Sequence, residues 1–199
     1  MSKRRLSGFI AALLLSALCC LAGTVEDYSR KIAPLIEPAK LATLRVRGAN
    51  PRVQKVTYWL AMAKADKVEP AAVAGDAVRI AGYKGEAAEM TSSAMVRNLD
   101  IATKLGCLDA DGMSEMRKGN AATVKLGPYA GDQLSVDHII PRAVVPELDC
   151  VIANLELMPM RMNSKKSAKI GSRQRSLAET LEKAGLLSEA GLRAVERSR

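Results

Sequence analysis

The chain has one histidine, His138, in 199 residues, so chemistry that needs a pair of imidazoles cannot be built from it. Only two of the four cysteines lie beyond residue 22, and with that single histidine they cannot complete a four-ligand structural zinc centre without a carboxylate. Aromatic residues are only 3% of the sequence, which removes base stacking on aromatic platforms as a main mode of binding. Negative charge is the minority sign, 21 Asp and Glu against 30 Lys and Arg, for a formal net charge of +9. That excess suits a polyanionic partner such as nucleic acid, or an acidic membrane surface. No internal repeat or low-complexity linker interrupts the chain. With 48% apolar residues it is long enough to bury one good core.

The first 22 residues have the anatomy of a secretory signal peptide: Lys3, Arg4 and Arg5, then the apolar run Gly8 to Leu18, then small residues ending at Ala22. The run is short of the roughly 20 residues a membrane-spanning helix needs, so stable membrane insertion is not expected after cleavage. An uncleaved anchor, or acylation at Cys19 or Cys20, is the alternative. Cleavage leaves 27 Lys and Arg against 21 Asp and Glu, a charge of +6, and an exported (periplasmic or secreted) protein. It also leaves two cysteines, Cys107 and Cys150. In an oxidising compartment a pair is most simply a disulfide, two unrelated buried thiols being the other reading.

Residues 23–118 read as helical. Apolar positions recur at helical spacing after Val25, although Pro34 and Pro38 shorten or break that helix. In "NPRVQKVTYWLAMAKADKV" Asn50 can cap and Pro51 suits a first turn. Pro70 opens a helix ending near Gly82, and a longer one stops at Gly106. A short helix covers Gly112 to Lys118, and methionines along these segments read as core filler. Residues 119–171 change texture. Gly119, Gly127, Pro128 and Gly131 punctuate extended chain. Leu134 and Val136 then alternate with polar Ser135 and His138 as a half-buried strand would. Asn154 to Met158 is a second strand, and Pro159 starts a helix through Met162 to Ile170, ended by Gly171. Residues 172–199 form two short helices parted near Gly185, with Ser188 capping the second. The fold class expected is α+β, mostly helical.

Three fragments of that middle unit, "VDHIIP", "NLELMP" and "NSKKS", lie in order and at spacing that resembles the HNH endonucleases, the ββα-metal or His-Me finger nucleases. The resemblance spans Gly119 to Lys169, about a quarter of the chain. The paired CxxC knuckles of many family members are absent. It implies an acidic residue and histidine closing the first strand, here Asp137 and His138. It implies a central asparagine, Asn154, that holds the loop and orients the backbone of the histidine. It also implies a final asparagine on the helix, Asn163, making an H-N-N version.

The chemistry fits those residue types. Phosphodiester hydrolysis needs a nucleophile, charge neutralisation at phosphorus and help for the departing 3′ oxygen. A neutral imidazole can take a proton from water, and His138 is the only one present. Asp137 and Asn163 offer hard oxygens for one divalent ion, Mg²⁺ first and Mn²⁺ second. Arg142, Lys165, Lys166 and Lys169 can meet flanking phosphates, with Arg117, Lys118 and Lys125 beside the first strand. The resulting expectation is an exported metal-dependent endonuclease acting on nucleic acid, DNA before RNA, with low sequence preference. The competing readings are a non-catalytic nucleic-acid-binding protein on the same fold and a basic helical envelope protein.

Overall fold

A computed structural model describes residues 23–166 and 168–198; the export signal expected over residues 1–22 lies outside them. The described chain is α+β and mostly helical. Proline and glycine punctuate it as their backbone chemistry requires. Helix α1 (Val25–Ile36) starts in a capping box between Thr24 and Asp27, and Pro38 opens the short α2 (Pro38–Leu41) after a break. Helix α3 (Asn50–Ala65) has Pro51 in its first turn, but Ala49 is its cap, and Asn50 is already helical. Helices α4 (Pro70–Ile80), α5 (Gly85–Lys104) and α6 (Ala110–Lys118) follow. Gly119 ends α6 at φ 92°, a left-handed turn where a Cβ would lie 3.0 Å from Pro51.

Beyond that turn the chain doubles back. Strand β1 (Leu134–His138) receives a Leu134 N–H to Ala122 C=O bond on one side and pairs antiparallel with β2 (Leu155–Pro159) on the other. The register sets Leu134 against Pro159 and His138 against Leu155. A two-stranded ribbon is marginal alone, and here two buried amides dock it onto the helices. Gln54 on α3 donates to the Leu134 carbonyl at 3.0 Å. Asn98 on α5 donates to the Leu155 carbonyl at 3.2 Å and accepts from the Leu157 N–H at 2.9 Å. Leu134, Val136, Leu155 and Leu157 then enter the same core as Ile32, Leu60, Met95 and Leu99. The strands therefore share their core with the helical region that precedes them.

A second core lies beyond β1. Ile140, Val145, Leu148 and Ala153, all in the connection between the strands, pack with Ile170 and with helices α8 (Ser172–Lys183) and α9 (Glu189–Arg197). Ser188 caps α9 through the Gly191 N–H. Between β2 and α8 lies α7 (Met160–Lys165), which stops well short of the expected Ile170. The cause is local. Lys166 leaves the helix in extended geometry to turn its ammonium inward, and Ile170 must descend into the second core. Among the described residues no helix is long and apolar enough to cross a membrane.

The expected Cys107–Cys150 bridge is not formed; both are free thiols in separate surroundings. Cys107 is fully buried behind the end of α5, near Asp109 and Lys125, and burial pushes its thiol up to about 11. Cys150 sits beside Asp149 and Arg52, and burial raises it as well. An even cysteine count carried the pairing, whereas the fold leaves both sulfurs unbonded. The melting temperature should accordingly be unchanged by dithiothreitol, and non-reducing mass spectrometry should find two alkylatable thiols after unfolding. A reductant-induced drop of several degrees would contradict this arrangement.

Candidate active site

The face of β1 that turns from the core presents Ser135 and Asp137, and the strand ends on His138 at the seam between the two cores. Helix α7 lies beside it and brings Asn163 within reach: its amide donates to the Ser135 hydroxyl at 3.1 Å. Together these elements bound a cleft of about 570 Å³ whose walls include Arg47, Gly119, Asp137, His138, Asn163 and Ser164. Three of the four expected central residues thus share one concave site.

The fourth, Asn154, works from behind. It ends a 3₁₀ turn (Ile152–Asn154) just before β2 and is completely buried. Its side-chain oxygen accepts from the Ile140 N–H at 2.8 Å, its amide donates to the Ile140 carbonyl at 3.1 Å, and its own carbonyl accepts from the Ile139 N–H at 2.9 Å. The two residues after His138 are thereby fixed to the start of the second strand.

His138 is nearly enclosed, its side chain 12% exposed. Its Nε2 lies 3.0 Å from the carbonyl oxygen of Asp149 and 3.0 Å from that residue's Oδ1. The carbonyl is the hydrogen-bond partner; Oδ1 is buried and has no hydrogen-bond partner among the described residues. Arg142 Nε stands 3.6 Å from the same oxygen. The other oxygen, Oδ2, accepts from the Arg47 N–H at 2.8 Å. Arg47 has φ 59°, a left-handed conformation that costs a non-glycine residue about 1–2 kcal/mol, and its side chain is exposed. Neither Asp149 nor Arg47 stood out in the sequence. They sit 102 positions apart, each in a segment that reads as an ordinary polar loop.

Asp137 is buried and ion-paired with Lys166, whose ammonium also donates to the carbonyls of His138 at 2.9 Å and Ile139 at 3.5 Å. Lys166 is thus an internal cation. Across the ribbon from Asp137, Glu156 is held bidentately by Arg173 at 3.0 and 2.6 Å. Among the described residues no three His, Cys, Asp or Glu side chains converge as a metal cage. Asp137 keeps one carboxylate oxygen clear of Lys166, and the Asn163 carbonyl oxygen has no partner there. Two hard oxygens beside an open cleft fit an ion that retains most of its own water, as Mg²⁺ does, and do not fit zinc.

The remaining basic positions separate by surroundings. Lys165, the last residue of α7, and Lys169 beyond it are exposed, and Arg117 is exposed on α6. Lys118 is paired with Glu115 at 2.7 Å and Lys125 with Asp109 at 3.3 Å, so each enters any phosphate contact partly neutralised. Where a basic side chain contacts a phosphate of bound duplex DNA, it adds about 0.9 to the log–log salt slope of binding, and its removal lowers the slope by that amount. Replacing Arg47 or Lys169 by alanine is expected to show that loss. Lys166→Ala should leave the slope unchanged and lower stability, because its charge faces Asp137. Fluorescence anisotropy from 50 to 300 mM salt distinguishes the two behaviours. Comparison of the chain with family models, with curated proteins and with solved structures gave no match.

Proposed function

We propose that this protein is an exported, metal-dependent endonuclease of the HNH type that hydrolyses phosphodiester bonds of nucleic acid, DNA in preference to RNA. The observation that carries the reading is the convergence of His138, Asp137 and Asn163 on one cleft, with Asn154 anchoring the chain immediately behind the histidine. A pure binding domain needs none of that set.

His138 takes a proton from a water molecule in the cleft as the water oxygen forms its bond to phosphorus. The bond from phosphorus to the 3′ oxygen breaks, and that oxygen leaves with a proton from solvent, yielding a 5′ phosphate and a 3′ hydroxyl. Asp137 and Asn163 would hold a divalent ion, which when bound neutralises charge on the phosphate and the departing oxygen. Lys166 places a permanent positive charge against Asp137 and screens that carboxylate from the incoming polyanion. Arg47, at the rim, and the exposed lysines beyond α7 are the groups that can grip flanking phosphates.

Nicking of supercoiled plasmid by untagged protein tests the assignment. Cleavage is expected with Mg²⁺ and none with EDTA. Asp137→Ala and Asn163→Ala should each raise the Mg²⁺ concentration for half-maximal rate, since each removes one oxygen ligand. Binding without nicking across several metals would favour the non-catalytic reading, which the engagement of Asp137 by Lys166 also permits. Unaltered metal dependence in both variants would place the ion elsewhere.

A further inference from the structure

We propose that export cuts the Ala22–Gly23 bond, and that the ammonium so created on Gly23 seats on the carboxylate of Asp66. Two independent observations meet at that bond. In the sequence, Cys20 and Ala22 put small residues third and first before it, as a signal peptidase requires. In the structure, the Gly23 nitrogen lies 3.2 Å from Oδ2 of Asp66, 43 positions away in the chain. Hydrolysis by that peptidase adds water across the amide: the Ala22 carbonyl carbon gains OH and the Gly23 nitrogen gains H. The released peptide ends in a carboxylate, and the new α-amine is protonated at neutral pH. A neutral hydrogen bond thereby becomes a charge-assisted one at the same nitrogen. The cut rests on the export reading; the seat does not.

Asp66 caps the end of α3, where the helix dipole disfavours a negative charge and a cation beside it restores the balance. Its Oδ2 also accepts from the Tyr28 hydroxyl on α1. The Tyr28 hydroxyl first, and the Gly23 N–H second, hold the Asp66 carboxyl below the usual carboxylate range. Tyr28 is only 4% exposed, so its ring cannot swing aside. A Cβ at residue 23 would stand 2.6 Å from Tyr28 Cε2, which reserves this close approach for glycine. The other charges near the seat are Asp27 and Lys31. Asp27 is engaged by the N–H and hydroxyl of Thr24, and the Lys31 ammonium lies over the Tyr28 and Trp59 rings at 5.4 and 4.5 Å. The start of α1 itself repels a cation. Asp66 is therefore the group that makes the ammonium stable there.

Seating raises the pKa of the amine above its unfolded value, so its stabilisation is complete below about pH 8 and is lost as pH rises through the raised value. Tyr28, pushed up to about 12 by burial, remains a donor throughout. Both cores lie within residues 23–198, so a chain beginning at Gly23 is the folded unit. A tag and protease site in place of residues 1–22, cut to leave Gly23 first, supplies it without export. With glycine ¹³C-labelled, the Gly23 Cα shift follows its own amine, which should titrate above the ordinary range of about 7.7–8.0. Asp66→Asn keeps an acceptor for Tyr28 and removes the charge, so the amine should titrate within that range or below it. The same variant should lower Tm by about 2 °C at pH 7 and by less than half of that at pH 10, where the amine is neutral. A merely structural Asp66 would give equal losses at both. An unsubstituted chain whose amine titrates in the ordinary range overturns the seat, as does a loss of Tm that ignores pH. For the full chain sent through an export pathway, N-terminal sequencing should begin at Gly23, and a terminus at another residue overturns the cut. A full chain retained uncut in the cell overturns the export reading instead, and the titration still decides the seat.

Discussion

Replacement of His138 by alanine is expected to reduce nicking by about 10³-fold, within the 10²–10⁴ that a positioned general base contributes. No second imidazole exists to take over, and the neighbouring carboxylates already engage partners: Asp137 through one oxygen with Lys166, Glu156 through both with Arg173, Asp149 through Oδ2 with the Arg47 N–H. DNA affinity should change little, because the exposed cations sit on other elements. Stability should fall by no more than about 1–2 kcal/mol, since the imidazole makes its hydrogen bond to a main-chain carbonyl that solvent can reach once the ring is gone. Single-turnover nicking, anisotropy and urea denaturation together read the three quantities. Near-normal turnover in His138→Ala would end the nuclease assignment.

The second large effect is expected at Asn154, and it should appear in stability before activity. Alanine there removes both partners of Ile140 at a site with no water access, leaving a buried N–H and a buried C=O unpaired. At roughly 1–3 kcal/mol each, the loss comes to about 2–6 kcal/mol, a large part of the stability of a domain this size. Activity should fall as well, since Ile140, held on both sides by the asparagine side chain, lies two residues beyond His138. Because the histidine itself is intact, kcat should fall more than KM rises. Urea denaturation with an unchanged slope and a lowered midpoint is the signature. A midpoint within about 0.5 kcal/mol of wild type would mean that the loop is held by other contacts.

The sequence revealed what depends on neighbours. Pro51, Pro70, Gly106 and Gly119 mark helix ends because their φ preferences act on the residue itself, and Leu134 and Val136 reveal a strand because its pleat has a period of two. His138, Asn154 and Asn163 were readable because they come from one short stretch whose spacing is fixed by a strand, a turn and a helix. Gln54, Asn98 and Asp149 were not. Each is a polar residue in a segment whose pattern permits a surface position, and each finds its partner 80, 57 and 102 positions away respectively. Lys166 was misread for a related reason: within "NSKKS" nothing distinguishes a lysine that turns inward from one that faces solvent. The cysteines show the opposite error, in which parity suggested a bond that packing does not make.

The division of the apolar interior has a consequence for when activity can arise. His138 is synthesised with its inward strand neighbours already able to find the preceding helices, but Ile140, Val145 and Leu148 must wait for Ala178, Leu181 and Val195. Until residues 172–198 have left the ribosome, the connection that carries Asp149 lacks half of what covers it. The site is therefore assembled late, after nearly all of the described chain is available. A chain stopped before α8 should keep helices α1 to α6 and lose the cover over the connection that carries Asp149, which makes the C-terminal helices a timer as much as a support.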